Sequence, residues 1–283
     1  MPELPEVETM RRAVEPAVGS RITALWRPRS RLQPIAISPR LSDFRRRAVG
    51  RRIVSVERLG KRVVARLDGA GDSIVFEPRM SGLLLLADPP NEEHLRLVFE
   101  LAGKRPRQLL FWNRRGLGVV RLLSPRRLAQ ELGPHRLGLD ALAISMEELR
   151  RRLQLSRRAV KVALMDQRTI AGIGNLYASE IVHRIGLHPE TPCNRLRPDD
   201  FVRLHAAIVE VLEEAIVHQG STLGDGTYRI NRNRTGAYQL LHRVYQRAGQ
   251  PCVHCGNGEI VRIVQAQRST FFCPKCQPKR RRR

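Results

Sequence analysis

Cys252-Val253-His254-Cys255 and Cys273-Pro274-Lys275-Cys276 are two Cys-x-x-Cys knuckles near the end of the chain. Between them lie Ile260-Val261-Arg262-Ile263-Val264 and Gln267-Arg268-Ser269-Thr270-Phe271-Phe272. The knuckles supply four thiolates to one tetrahedral zinc, and with all four positions filled that zinc is structural rather than catalytic. The two runs between them read as strands, so a β-hairpin finger is predicted over 249–277 with Arg268 at its tip. A fifth cysteine, Cys193, sits in the Pro-rich stretch His188-Pro189-Glu190-Thr191-Pro192-Cys193 and reads as an ordinary small side chain. No basic region followed by an apolar stretch marks a signal peptide, so paired cysteines favour metal over disulfides and a cytoplasmic, nucleoid-associated protein.

Upstream of the finger the pattern is helical. Phe201, Leu204, Ile208, Val211, Leu212, Ala215 and Ile216 recur at helical spacing, with Pro198 near the start and Gly220 past the end. Ser145 with Glu148 three residues on predicts a capping box. Ala171-Gly172-Ile173-Gly174-Asn175 is a Gly-rich turn feeding a helix over 176–182, a turn that aims backbone N–H groups at an anion or simply joins two helices. Asn175 there either caps the helix or holds a phosphate oxygen. Val160–Gln167 predicts another helix with Lys161 pointing inward. Residues 221–237 read as a loop rich in Gly, Asn and Arg.

Before about residue 125 the periodicity is that of strands. Ile53–Val56, Arg62–Leu67, Ser73–Phe76, Leu95–Phe99 and Leu117–Leu122 are short β-type runs separated by turn residues, which predicts a β-sandwich. Gly60-Lys61-Arg62 and Trp112–Gly118 read as basic hairpins, and Arg79-Met80-Ser81-Gly82 as a turn after a proline. Residues 125–140 read as a linker. The domains expected are 1–135, 136–248, the finger 249–277 and a basic tail 278–283.

The 283 residues carry 51 basic and 27 acidic side chains, a formal charge of +24. Few of the cations are lysine. Arginine forks grip phosphate in two places, and a surface this positive binds a polyanion in a salt-dependent way. No run approaches the roughly 20 apolar residues of a membrane span, and no long basic amphipathic helix with aromatic anchors points to a membrane surface.

The first residues, Met1-Pro2-Glu3-Leu4-Pro5-Glu6-Val7-Glu8, open a helix expected over 2–16. Removal of Met1 would expose the Pro2 nitrogen as a secondary α-amine, which titrates near about 8, well below a lysine. Attack by such an amine at a sugar C1′ yields an iminium, an electron sink that drives elimination of neighbouring phosphates. Glu3 and Glu6 are close enough in sequence to handle protons.

Taken in order, these motifs resemble the bacterial formamidopyrimidine-DNA glycosylase family over nearly the whole chain. The resemblance rests on Pro2–Glu8, Lys61, Met80-Ser81-Gly82, Arg114-Arg115, Lys161 with Leu164-Met165-Asp166, Gly172–Glu180, and the four-cysteine finger with Gln267-Arg268. It implies an α+β fold: an N-terminal β-sandwich with flanking helices, a helix–two-turn–helix module and a zinc finger, with DNA held between the domains. It implies a monomeric bifunctional glycosylase and AP lyase of base excision repair that excises oxidised purines through a Schiff base on Pro2, followed by β,δ-elimination. The partner implied is double-stranded DNA with oxidised bases or abasic sites, and the one cofactor is structural Zn2+. Carried over by position, Pro2 is the nucleophile and Glu3 protonates the deoxyribose ring oxygen. Glu6 orders the site, and Glu180 supports Pro2 and the lesion. Lys61, Lys161, Asn175 and Arg268 grip phosphates, Met80 fills the space left by the extruded nucleotide, and Arg114 faces the orphaned base. In the family the loop matching 221–237 covers the flipped purine, so the resemblance offers Tyr228, Arg229 and Asn231 for that role, the alternative being a loop that is simply mobile.

Two stretches depart from the family. Its usual His-Leu-Gly is here Glu77-Pro78-Arg79, a carboxylate in place of a phosphate-contacting His, with Arg79 as the compensating cation. Its Asp-x-Arg-Arg-Phe-Gly is here Trp112-Asn113-Arg114-Arg115-Gly116-Leu117-Gly118, without the aromatic wedge and with Leu117 as the substitute. An endonuclease VIII-like enzyme for oxidised pyrimidines and a non-catalytic damaged-DNA-binding homologue are the alternatives.

Overall fold

In a computed structural model of the chain, the structure describes residues 1–103, 106–223, 226, 228–229 and 234–279. The chain divides into two compact units: Met1–Arg136 with Ile216–Gln239, and Leu137–Ala215 with Leu240–Arg283.

The first unit begins with α1 (Leu4–Val14), shorter than the 2–16 expected. Leu4, Val7, Met10 and Val14 recur three to four residues apart and are buried, so one apolar stripe packs on the sheets below. There follow β1 (Arg21–Trp26), β2 (Ala36–Ser38), α2 (Leu41–Ala48), β3 (Ile53–Leu59), β4 (Arg62–Leu67), β5 (Ser73–Glu77), β6 (Gly82–Leu85), β7 (Leu95–Ala102), β8 (Gln108–Asn113) and β9 (Val119–Leu123). They form two sheets, a four-stranded one in the order β1-β7-β8-β6 and a five-stranded one in the order β2-β9-β5-β4-β3. All pairs are antiparallel except β2 with β9. This is the sandwich expected. Val63, Ala65, Ile74, Phe76 and Val120 from one sheet share a core with Leu83, Leu97, Phe99 and Phe111 from the other. Phe76 stands edge-on to Phe99, ring centroids 5.7 Å apart, and a ring so buried contributes about 2–3 kcal/mol.

Two expectations fail here. Trp112–Gly118 is not a hairpin, because β8 and β9 lie in different sheets and the segment crosses between them. Residues 125–140 are not simply a linker, because Pro125–Leu132 forms α3. Ser124 accepts the Arg127 N–H, Pro125 occupies the first turn, and Leu128 and Leu132 pack on Val64, Val75 and Leu123. The same Ser-Pro pair that reads as a breaker starts a helix once an apolar stripe has a surface to cover.

The second unit contains β10 (Leu139–Asp140), α4 (Met146–Leu153), α5 (Val160–Leu164), β11 (Ile170–Ala171), α6 (Asn175–Arg184) and most of α7 (Pro198–Val217). The finger follows, with β12 (Val261–Gln265) paired to β13 (Arg268–Phe272). Ser145 caps α4 by accepting the Glu148 N–H at 3.2 Å. The Glu148 carboxylate does not close the box; it binds Arg151 and Arg152 instead. The turn between β12 and β13 is Ala266-Gln267, both at positive φ, so the hairpin tip is these two residues and Arg268 is the next along. Among the described residues no helix is long and apolar enough to cross a membrane.

Candidate active site

Pro2 and both acids near it are buried, Glu3 at 6% and Glu6 at 3% exposure. Glu3 is the N-cap of α1 and Glu6 its third residue, and the two form a capping box in which the Glu3 N–H donates to Glu6 Oε2 at 2.8 Å. The other oxygen, Oε1, accepts the Ser221 N–H at 2.8 Å. Both oxygens of Glu6 thus hold backbone, and Glu6 locks the turn that carries Pro2 and Glu3 to the segment after α7. Ser221 was not singled out from sequence; no local pattern marks an N–H whose partner lies 215 residues away.

Lys61 lies in the two-residue turn between β3 and β4, with Leu59 and Arg62 as the closing pair. Met80 and Arg114 lie on two adjacent crossovers between the sheets, β5 to β6 and β8 to β9. The crossovers are stitched together: Arg114 N–H donates to Ser81 O at 3.3 Å, Arg115 N–H to Ser81 Oγ at 3.1 Å, and Asn113 Nδ2 to Pro78 O at 3.0 Å. Asn113 is fully buried and also accepts the Leu117 N–H. Met80 and Arg114 therefore stand side by side, both exposed. The turn leaves no space at Gly82, where a Cβ would lie 2.3 Å from Pro78 O.

In the second unit Gly174, not Asn175, is the N-cap of α6. Asn175 Oδ1 accepts from Lys161 Nζ at 2.5 Å, and its Nδ2 donates to Ser269 O at 2.9 Å. Lys161 is fully buried, as the inward-pointing expectation had it, and its Nζ also reaches Thr270 Oγ1 at 2.7 Å. Lys161 and Asn175 thus join the Gly-rich turn to the finger hairpin, and Arg268 lies exposed one residue beyond that junction.

Glu180 is also buried on α6. Its carboxylate accepts the N–H groups of Arg243, Val244 and Tyr245 at 3.0, 3.1 and 2.8 Å. Burial pushes its pKa up, against the pull of those three donors and of the Arg243 charge.

The sulfurs of Cys252, Cys255, Cys273 and Cys276 all lie within 4.8 Å of one another. The Cys252–Cys276 and Cys255–Cys273 separations are 3.7 and 3.8 Å. Those are far too long for disulfides. They match the roughly 3.8 Å between thiolates around a tetrahedral zinc with bonds of about 2.3 Å. The donor set fits one structural zinc.

The family model for the formamidopyrimidine-DNA glycosylase N-terminal domain matches residues 1–120. Its H2TH domain matches 124–226, and the zinc finger found in FPG and IleRS matches 249–279. A formamidopyrimidine-DNA glycosylase of Chloroflexus aurantiacus is 42% identical, covering 98% of each chain. The chain belongs to the formamidopyrimidine-DNA glycosylase family. The MutM (Fpg) protein of Thermus thermophilus has a similar solved structure, at a TM-score of 0.84 and 35% identity over 99% of this chain and 100% of that one. Lactococcus lactis Fpg in complex with abasic-site DNA also superposes at 0.84, with 29% identity over 98% and 100%.

Against this family background the two departures acquire physical explanations. Glu77 is 8% exposed at the end of β5 and faces arginines: Arg62 at 3.1 Å, Arg79 at 3.6 Å, and Arg121 in direct contact. Burial alone would raise its pKa, but Arg62 and Arg121 hold the carboxyl below the usual range. Glu77 is thus the buried anchor of a partly exposed arginine cluster, and Arg79 leans on it. Leu117 is 45% exposed beside the stitched crossovers. Tyr228 differs from expectation. It is buried in the sandwich core, its hydroxyl donating to Gln219 O at 3.0 Å. Burial first, and then the Glu6 charge, push its pKa well above the ordinary phenol value. Arg229 donates to Gly226 O at 2.9 Å, and Asn231 lies outside the described residues.

Proposed function

We propose that this chain is a bifunctional DNA glycosylase and AP lyase of base excision repair, acting on oxidised purines such as 8-oxoguanine and formamidopyrimidines in duplex DNA. The observation that carries the reading is the ordered N-terminal turn, in which Glu3 and Glu6 are buried beside Pro2 and Glu6 is held by two backbone donors. A pure DNA binder has no use for buried acids gathered at a residue-2 amine.

With Met1 removed, the Pro2 nitrogen attacks C1′ of an extruded nucleotide. The N-glycosidic bond breaks, and the base leaves with a proton. Glu3 protonates the ring oxygen, which opens the sugar and leaves an iminium. Loss of a C2′ proton expels the 3′ phosphate, and a second elimination expels the 5′ phosphate. Lys61, Asn175 and Arg268 meet backbone phosphates, with Lys161 positioning Asn175 from behind. Met80 fills the vacated space and Arg114 faces the orphaned base. Glu180 orders the 243–245 backbone toward the lesion. The enzyme acts as a monomer on nucleoid DNA. A purine substrate is favoured over a pyrimidine because L. lactis Fpg is seen with DNA containing N7-benzyl-Fapy-dG.

The test is borohydride trapping on a duplex with 8-oxoguanine opposite cytosine, wild type beside Pro2→Gly, with the adduct mapped by mass. An adduct on residue 2 that Pro2→Gly abolishes is expected. Preferential cleavage of a dihydrouracil duplex would overturn the purine reading, and tight binding with no adduct on either duplex would overturn the enzyme reading.

A further inference from the structure

His183 occupies the last turn of α6, one turn beyond Glu180, and is 4% exposed. Its Nε2 lies 3.7 Å from Cys252 Sγ, the most buried sulfur of the first knuckle. Its Nδ1 is buried with no hydrogen-bond partner among the described residues. The His254 ring stands edge-on at 6.1 Å.

The tautomer follows from these contacts. A proton on Nδ1 would bury an unpaired donor and turn the Nε2 lone pair toward a thiolate. A proton on Nε2 points a donor at the anion and leaves Nδ1 as a bare acceptor. The second arrangement satisfies the donor and avoids repulsion between two lone pairs. Zinc held by four thiolates carries excess negative charge, and N–H donors outside the ligand shell disperse it. Such partners commonly change metal affinity 10–100-fold.

The geometry points to His183 as a positioning residue of the zinc centre: its Nε2–H donates to the Cys252 thiolate, retaining the metal and blunting that sulfur toward electrophiles. One helix then holds the 243–252 segment at both ends. Glu180 binds the backbone of Arg243, Val244 and Tyr245, and His183 binds Cys252. The role is independent of which lesion the enzyme takes.

Three measurements on full-length, zinc-loaded protein test it. In wild type, long-range proton–nitrogen spectra of the His183 ring should show the proton on Nε2; a proton on Nδ1 overturns the proposal without any variant. His183→Phe removes the donor and keeps an aromatic ring, whereas His183→Gln keeps an N–H. Zinc release to a chromophoric chelator and iodoacetamide alkylation of Cys252 should both accelerate about 10–100-fold in the Phe variant and stay near wild type in the Gln variant. After cobalt substitution, the sulfur-to-metal charge-transfer band should shift in the Phe variant alone, which a purely structural role would not cause. Wild-type release rates and an unmoved band in folded His183→Phe would overturn the assignment. Should that variant fail to fold, the tautomer and the Gln variant decide.

Discussion

Glu6 Oε1 and the Ser221 N–H lie 2.8 Å apart, joining the first helix to the residues just beyond α7 across 215 positions of chain. The other Glu6 oxygen holds the Glu3 N–H. A single carboxylate therefore orders the turn that presents residue 2, and it does so as an acceptor only.

Glu6→Gln tests that role. An amide keeps one oxygen but turns an NH2 toward one of the two donors, leaving a buried N–H unpaired at a cost of about 1–3 kcal/mol. Denaturant midpoints should fall accordingly, and trapping at residue 2 should fall further than stability alone accounts for.

Gly220→Ala should injure the same turn from the other side. Gly220 has φ +74, and a Cβ there would lie 2.7 Å from Glu6 Oε1 and 2.8 Å from Glu6 Cγ. Backbone strain of this kind costs about 1–3 kcal/mol. The variant should lose both thermal stability and activity, whereas Gly19→Ala, with nothing within 4 Å of its Cβ, has only the φ +88 strain to bear.

Glu77 supplies a pH dependence. Its pKa is depressed in the fold, so the unfolded chain takes up the proton first as pH drops. The stability it contributes is fully present above the ordinary value of about 4.3 and is lost as pH falls through the depressed one. Glu77→Gln should be less stable than wild type at neutral pH, and the gap should close in acid. A gap that stays constant down to low pH would show that Arg62 and Arg121 are not its partners in solution.

Lys161→Met removes a buried ammonium that binds Asn175 and Thr270. The loss of charged hydrogen bonds predicts about 2–3 kcal/mol or more of destabilisation. Hydrogen exchange should rise in β13 and at the start of α6, while the first unit keeps its protection.

Chelation of zinc, or Cys255→Ser, should unfold the finger and reduce DNA affinity together, since four-thiolate centres supply the folding energy of small hairpins. Binding by the intact protein should weaken steeply with salt, in a log–log line whose slope counts displaced counterions. Retained affinity in zinc-free protein would remove the finger from the interface.

Much of this architecture could be read from spacing. The α7 stripe, the short strands of the sandwich, the Ser145 cap and the cysteine knuckles are local patterns, and local patterns survive without knowledge of the rest of the fold. The resemblance to a known family rests on such stretches too, Pro2–Glu8 and the four-cysteine finger among them. Misreadings arose where a local signal had two outcomes. Ser124-Pro125 stops one element and starts another, and Trp112–Gly118 looks like a hairpin unless one knows that β8 and β9 belong to different sheets.

The sequence by itself determined which residue types are on hand for chemistry: a proline at position 2, acids beside it, four cysteines in two knuckles and an excess of arginine. The tertiary structure alone decided how they are held. It brought Ser221 to Glu6, returned Tyr228 to the core of the sandwich, set Glu77 among arginines, and buried Lys161 against the finger. The physical reason is that each of these depends on where a buried donor, acceptor or charge finds its partner, and distant chain positions become neighbours only when apolar packing closes the fold.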